Sequence, residues 1–193
     1  QAEDGIRDRS PSRGLGDVYK RQKDFEIIYS GVMKSSQNPK MLWKILCDIS
    51  MTNKSFKNDF KLTLIGSFDK SIHQNKHLKK LKENVIFKDY MSKNLLDKNL
   101  STAKVLILCD INQPDGGNII PGKFFHYLSY KIPIITFSSK NSDTSNIVNE
   151  TKCGNVFDLS LIHISEPTRR TPISYAVFCL KKVCVWFCAM CWG

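Results

Sequence analysis

The residues best suited to chemistry lie between Asp110 and Phe137. An apolar run, Val105-Leu106-Ile107-Leu108, is followed by a polar loop, Asn112-Gln113-Pro114-Asp115-Gly116-Gly117-Asn118. Ile119-Ile120-Pro121-Gly122-Lys123 then leads into a helical pattern ending near Tyr130, and Lys131-Ile132-Pro133-Ile134 opens the next apolar run. A glycine-bearing loop at a helix start offers unpaired backbone N–H groups and the positive end of the helix dipole, which suits a diphosphate. The expected anion ligands are the backbone N–H groups of Ile119, Ile120 and Gly122 within the stretch Gly116–Lys123, with Gly31 facing them from another strand. Taken alone, a Gly-Gly loop is a weak signal.

The elements that would position this loop read as alternating strands and helices. Phe25–Ser30 forms a strand ending at Gly31. Asn38-Pro39 opens a helix, with Asn as cap and Pro at the first helical position. Leu42, Ile45, Leu46 and Ile49 fall at i, i+3, i+4 and i+7, one core-facing stripe. A second strand, 61–65, stops at Gly66, and 71–83 reads as one lysine-rich helix. Val85-Ile86-Phe87 is a third strand, 94–101 a short helix, and 105–108 a fourth strand, apolar on both faces and therefore central. A helix over 122–130, a strand over 132–137, a helix over 143–151 and a strand over 155–157 complete the series. This alternation predicts an α/β fold, a doubly wound parallel sheet with right-handed crossovers, Rossmann-like, which binds ligands at the carboxyl ends of its strands.

The two ends follow a different pattern. The formal charge of +11 suggests nucleic acid or an anionic membrane, and seven cysteines suggest a metal site or disulfides. Yet all six arginines (Arg7, Arg9, Arg13, Arg21, Arg169, Arg170) lie outside residues 23–158, which hold twenty lysines. Asp17–Gln22 back-translates as GAT GTG TAT AAG AGA CAG, the transposase mosaic end of fragment libraries. Gln1–Asp8 fits a flow-cell primer, Ser12–Gly16 the adapter that precedes the mosaic end, and Leu159–Arg169 and Ile173–Leu180 their reverse complements. Arg9-Ser10-Pro11 and Arg170-Thr171-Pro172 agree with one index read in both directions. Residues 1–22 and 159–193 are accordingly expected to be translated adapter and read-through, outside any domain. The C-x3-C-x2-C spacing of Cys184, Cys188 and Cys191 resembles an iron–sulfur ligand set but falls in that tail.

Residues 23–158 carry 13 acidic side chains against the twenty lysines, a net +7. Cys47, Cys109 and Cys153 match no zinc or iron–sulfur spacing and are expected to be reduced thiols in a cytoplasmic protein. No nucleic-acid partner is expected. The cluster Lys76, Lys79, Lys80, Lys82 reads as a solvated helix face, with peripheral contact to an anionic membrane as the alternative.

Pro121-Gly122-Lys123-Phe124-Phe125-His126-Tyr127-Leu128 followed by Lys131-Ile132-Pro133-Ile134 resembles the P-x-K-x-F-E-Y-L-x-x-x-K-P-I signature of family 4 glycosyltransferases with the two-domain GT-B fold. Tyr29-Ser30-Gly31 with Asn38-Pro39, Leu64-Ile65-Gly66, and Val85-Ile86-Phe87 with Tyr90 resemble, in order, the early strands of their C-terminal domain. The resemblance spans nearly all of 23–158. It implies the donor half of an enzyme that moves a sugar from a nucleotide-diphosphate sugar to a surface-polysaccharide or lipid-linked acceptor. No cofactor and mostly no metal are implied, and the catalytic base would belong to a separate N-terminal domain. A sugar-nucleotide epimerase of the same fold and a domain with a degraded donor site are the alternatives.

The chain departs from the family at two places. Asn118 and His126 stand where members often carry two glutamates, one near the donor sugar and one on the ribose. Val32 and Gln37 stand where members carry a phosphate-binding Arg and Lys, which leaves Lys34 and Lys123 as the nearby cations.

Overall fold

A computed structural model describes residues 25–110, 119–139 and 142–158. The two adapter-like ends and the loop residues Gly116, Gly117 and Asn118 lie outside the described residues.

Six parallel strands form one sheet: β1 (Phe25–Met33), β2 (Phe60–Phe68), β3 (Val85–Lys88), β4 (Val105–Cys109), β5 (Ile134–Ser138) and β6 (Gly154–Asp158). Their order is β3-β2-β1-β4-β5-β6. The chain builds outward from β1 to one edge, then returns to β4 on the other side of β1. The order therefore reverses between β1 and β4, the switch point at which such sheets bind ligands. The helices are α1 (Lys40–Thr52), α2 (Lys54–Asp59), α3 (Lys70–His73), α4 (Lys76–Lys80), α5 (Lys93–Thr102), α6 (Gly122–Leu128) and α7 (Asp143–Thr151).

Alternation along the strands divides the core in two. Ile27, Tyr29, Leu62, Leu64, Val105 and Ile107 pack with Leu42, Trp43 and Leu46 of α1 and with Ile72, Leu78 and Leu81. Ile28, Leu106, Leu108 and Ile134 pack on the opposite face with Leu100, Phe124, Tyr127 and Val148. Every residue of β4 is buried, as its continuous apolar run requires of a central strand.

Several boundaries differ from the sequence reading. Gly31 and Gly66 do not stop their strands; β1 and β2 run through them to Met33 and Phe68. The two glycines are register partners at φ +120° and +125°, and a Cβ on Gly66 would lie 2.3 Å from the Gly31 carbonyl oxygen. No side chain fits at Gly66, and the positive φ at both positions favours glycine. The lysine-rich helix is two short helices, because Asn75 turns inward and its Oδ1 accepts the N–H groups of His77 and Leu78, starting α4 afresh. Asn38 does not cap α1: Pro39 is the capping residue, and Asn38 Oδ1 accepts the buried Trp43 indole N–H at 2.8 Å. Helix α2 was not expected; Asn53 starts it by accepting the N–H of Phe56. No helix of the described residues is long and apolar enough to cross a membrane.

Candidate functional site

Strands β1 and β4 pair only from Ile27↔Val105 to Tyr29↔Ile107, although β1 continues to Met33 and β4 to Cys109. The ladder thus opens at Ser30, and its backbone needs other partners. Tyr127 of α6 supplies one. The Ser30 N–H donates to the Tyr127 phenol oxygen at 3.0 Å, and Ser30 Oγ lies 2.9 Å from the same oxygen. Burial pushes the Tyr127 phenol up to about 12, so it stays a neutral hydroxyl. This contact seats α6 against the opened end of β1.

One turn earlier on α6, Lys123 reaches over the same strand end. Its Nζ lies 3.4 Å from the Ser30 carbonyl oxygen and 4.1 Å from the centre of the Tyr29 ring. Gly31 lies directly beneath it: a Cβ there would stand in ordinary contact, 3.6 Å from Nζ and 3.9 Å from Cδ. Tyr29 points to the α1 side of the sheet and Tyr127 packs on the other, so the lysine stem bridges the two faces across the rim. Burial lowers its amine to about 8, although Cys109 and Asp110 at the end of β4 pull the other way. A partly desolvated cation over an aromatic face, beside a strand end without a side chain, has the chemistry to receive an anion.

Behind it, the β4 terminus is fixed by neighbours on β5. The Asp110 carboxylate is buried and accepts a hydrogen bond from Ser138 Oγ at 2.9 Å, and the Asp110 N–H donates to the Phe137 carbonyl. Burial pushes the Cys109 thiol up to about 12, which makes it a packing group rather than a nucleophile at neutral pH.

Of the expected site residues, Gly31 and Lys123 meet at this opening, Gly122 is the exposed first residue of α6, and Ile119 and Ile120 lie in the irregular segment leading into it. Ile119 is 59 % exposed. Lys34 is exposed on the turn after β1, where its N–H donates to Gln37 Oε1 at 3.2 Å. Gln37 itself is buried in that turn. His126 stands apart from Lys123 in its bonding: Nε2 lies 3.0 Å from both Asp97 Oδ1 and Tyr130 Oη, and the Tyr130 hydroxyl donates to the same carboxylate at 2.7 Å. This ring is tied to α5 through Nε2. Sequence reasoning assigned no role to Tyr127 or Tyr29. The apolar setting of Tyr127 inside the helical pattern reads as core, and only the opened ladder reveals the phenol's use.

No family model matches the sequence, and no curated protein matches it. Solved structures do. WaaG, a glycosyltransferase involved in lipopolysaccharide biosynthesis, superposes with a TM-score of 0.58 at 14% identity, over 91% of this chain and 42% of its own. The C-terminal domain of a group 1 family glycosyl transferase, LpcC from Francisella tularensis, gives 0.51 at 12% identity, over 79% of this chain and 80% of that domain. A structure from Listeria monocytogenes assigned as a UDP-N-acetylglucosamine 2-epimerase gives 0.52 at 8% identity, over 89% and 41%. The fold is the one these proteins share. The chain spans less than half the length of WaaG.

Proposed function

We propose that residues 25–158 form the donor-nucleotide half of a glycosyltransferase that uses a nucleotide-diphosphate sugar. The observation that carries this reading is Lys123: a cation held at the switch point between β1 and β4, above Gly31 and the Tyr29 ring. The diphosphate would lie against Lys123 and the backbone N–H groups of Ile119, Ile120 and Gly122. Negative charge grows on the leaving diphosphate as the glycosidic bond breaks, and fixed donors at this position would stabilise it. Lys123 would then provide the charge that Val32 and Gln37 cannot. Asn118 and His126 remain the candidates for the donor sugar and the ribose. The acceptor, a polysaccharide or lipid-linked glycan, and the catalytic base would be held by a further domain, and no metal is invoked.

Titration of UDP and GDP into the full chain, followed by backbone amide shifts, tests this. The shifts should centre on Gly31, Ile119–Lys123 and Tyr127. Shifts confined to the lysines of α4, with these residues silent, would mean nonspecific charge attraction and would defeat the assignment. The epimerase reading makes the same demand on the donor site. The likeness to the Listeria structure favours it as the second possibility. Conversion of UDP-N-acetylglucosamine to its 2-epimer by the parent protein would select it.

A further inference from the structure

We propose that the face shared by α1 and α4 seats the protein on an anionic bilayer, through Lys40, Lys44, Lys76, Lys79 and Lys80; this goes beyond the donor-site reading and does not depend on it. The two helices pack together through Leu46 and Cys47 of α1 and Leu78 and Leu81 at α4. The inward side of α1 holds Leu42, Trp43, Ile45, Leu46, Cys47 and Ser50. Lys40, Lys44, Asp48 and Met51 recur at helical spacing on its other side. On α4, Leu78 is buried and Lys76, Lys79 and Lys80 are exposed. The lysines of the two helices meet around His77. Burial lowers its imidazole below the ordinary value, and Lys76, Lys80 and Lys44 lower it further against the opposing pull of Asp48.

The positive charge of this face is left uncompensated within the protein. Among the described residues, none of these lysines takes part in an ion pair, and Glu83, just beyond α4, is held by Lys57 at 3.3 Å. Asp48 is the one carboxylate acting on His77. Like charges gathered without partners repel one another, and a dense anionic surface relieves that repulsion. The chemistry favours a bilayer over a nucleic acid. Nucleic acids are gripped by planar guanidinium groups and by aromatic rings that stack on bases, and this face has neither. Residues 23–158 hold no arginine, and the exposed aromatics Phe87, Tyr90 and Phe125 belong to β3, the segment after it and α6. Ammonium groups on long flexible stems suit mobile phosphate headgroups. Met51, 71 % exposed at the end of the α1 row, adds an apolar side chain for the acyl boundary beneath them.

The test is co-sedimentation of the full chain with phosphatidylcholine vesicles, made with and without phosphatidylglycerol. Binding should require phosphatidylglycerol and weaken as salt is raised. The double variant Lys44→Gln, Lys80→Gln removes one charge from each helix of the face and should bind about 10- to 30-fold more weakly, at about fivefold per lysine. A matched control, Lys93→Gln with Lys98→Gln, removes two exposed charges from α5 and should bind within about threefold of the wild type. All three proteins keep residues 1–22 and 159–193, so the arginines there contribute equally to each. Both variants should unfold no earlier than the wild type in urea, since only solvated side chains change. The proposal is overturned if binding ignores phosphatidylglycerol or salt, or if the two variants lose affinity alike, since net charge alone would then account for it. It is also overturned if a DNA duplex binds more tightly than the vesicles and shows the same loss in the Lys44, Lys80 variant. UDP titration reads Gly31, Lys123 and Tyr127 separately, so failure of the donor site and failure of this face are distinguishable.

Discussion

Replacing Lys123 by Met should raise the stability of the fold and lower its affinity for a nucleoside diphosphate, two effects of opposite sign from one substitution. The stem of the side chain is retained and only the cation is removed. In the free protein, the amine is lowered from 10.5 to about 8, so folding with the protonated lysine costs about 3 kcal/mol. The Tyr29 ring offsets about 1 kcal/mol of this, leaving a net gain of about 2 kcal/mol for the variant at pH 7. The sign follows from linkage. Between pH 8 and 10.5 the unfolded chain binds more protons than the folded one, so wild-type stability rises with pH through that window. The penalty is fully present below pH 8 and is gone above 10.5; the variant lacks this slope. A bound diphosphate reverses the logic, because an anion at Nζ restores the protonated form. Affinity should therefore fall by about tenfold from pH 7 to pH 9 in the wild type. Lys123→Met should lose about 10- to 100-fold in affinity at pH 7, the worth of a charge-assisted hydrogen bond, and show no such pH dependence. Urea unfolding at pH 7 and 9 and calorimetric titration of UDP-glucose measure both; ionisation of the uracil is common to the two proteins and cancels. A variant that is less stable at pH 7, or that binds UDP-glucose as tightly as the wild type, would refute the reasoning.

Other substitutions probe the frame around this site. Gly66→Ala should destabilise by about 3 kcal/mol or more in urea unfolding, because its Cβ would strike the Gly31 carbonyl at a backbone φ of +125°. Asn38→Ala should cost about 1–3 kcal/mol by leaving the buried Trp43 indole N–H without its acceptor, read from the same unfolding curve. Burial, with Asp97 adding to it, pushes the Tyr130 phenol up to about 12, so Asp97→Asn should bring one tyrosine to a lower pH in an absorbance titration. If residues 1–22 and 159–193 are translated adapter, deleting both should leave the unfolding midpoint unchanged; a marked loss of stability would count against that reading.

The layered fold was legible because the inner strands are apolar runs and the helix after β1 carries a one-sided stripe, and both patterns depend only on local periodicity. Element boundaries were less so, for identifiable reasons. Gly31 and Gly66 read as stops, since glycine usually ends a strand; their pairing opposite one another across two strands lets the ladder continue. The same long-range pairing is invisible to any local pattern. Asn38 and Pro39 looked like a cap and first turn, but the Trp43 indole five residues on competes for the Asn38 side chain and wins it. The N–H loop and Lys123 were marked by the polar stretch before α6. What sequence could not supply is the point where β1 and β4 part company, because that depends on where Tyr127 lands.

That parting explains why the cation comes from α6 and not from the turn after β1. A lysine on the turn, such as Lys34, extends into solvent, where its charge is screened and its orientation is free. Lys123 starts from a helix already clamped to Ser30 by Tyr127, and its stem is confined between Gly31 and the Tyr29 ring. Its amine is therefore fixed in direction and partly stripped of water before any ligand arrives. The cost of that arrangement falls on the folded protein, and a diphosphate bound as proposed would relieve it. Gly31, held at φ +120°, leaves the strand end beneath the lysine without a side chain, and a phosphate could approach the backbone there.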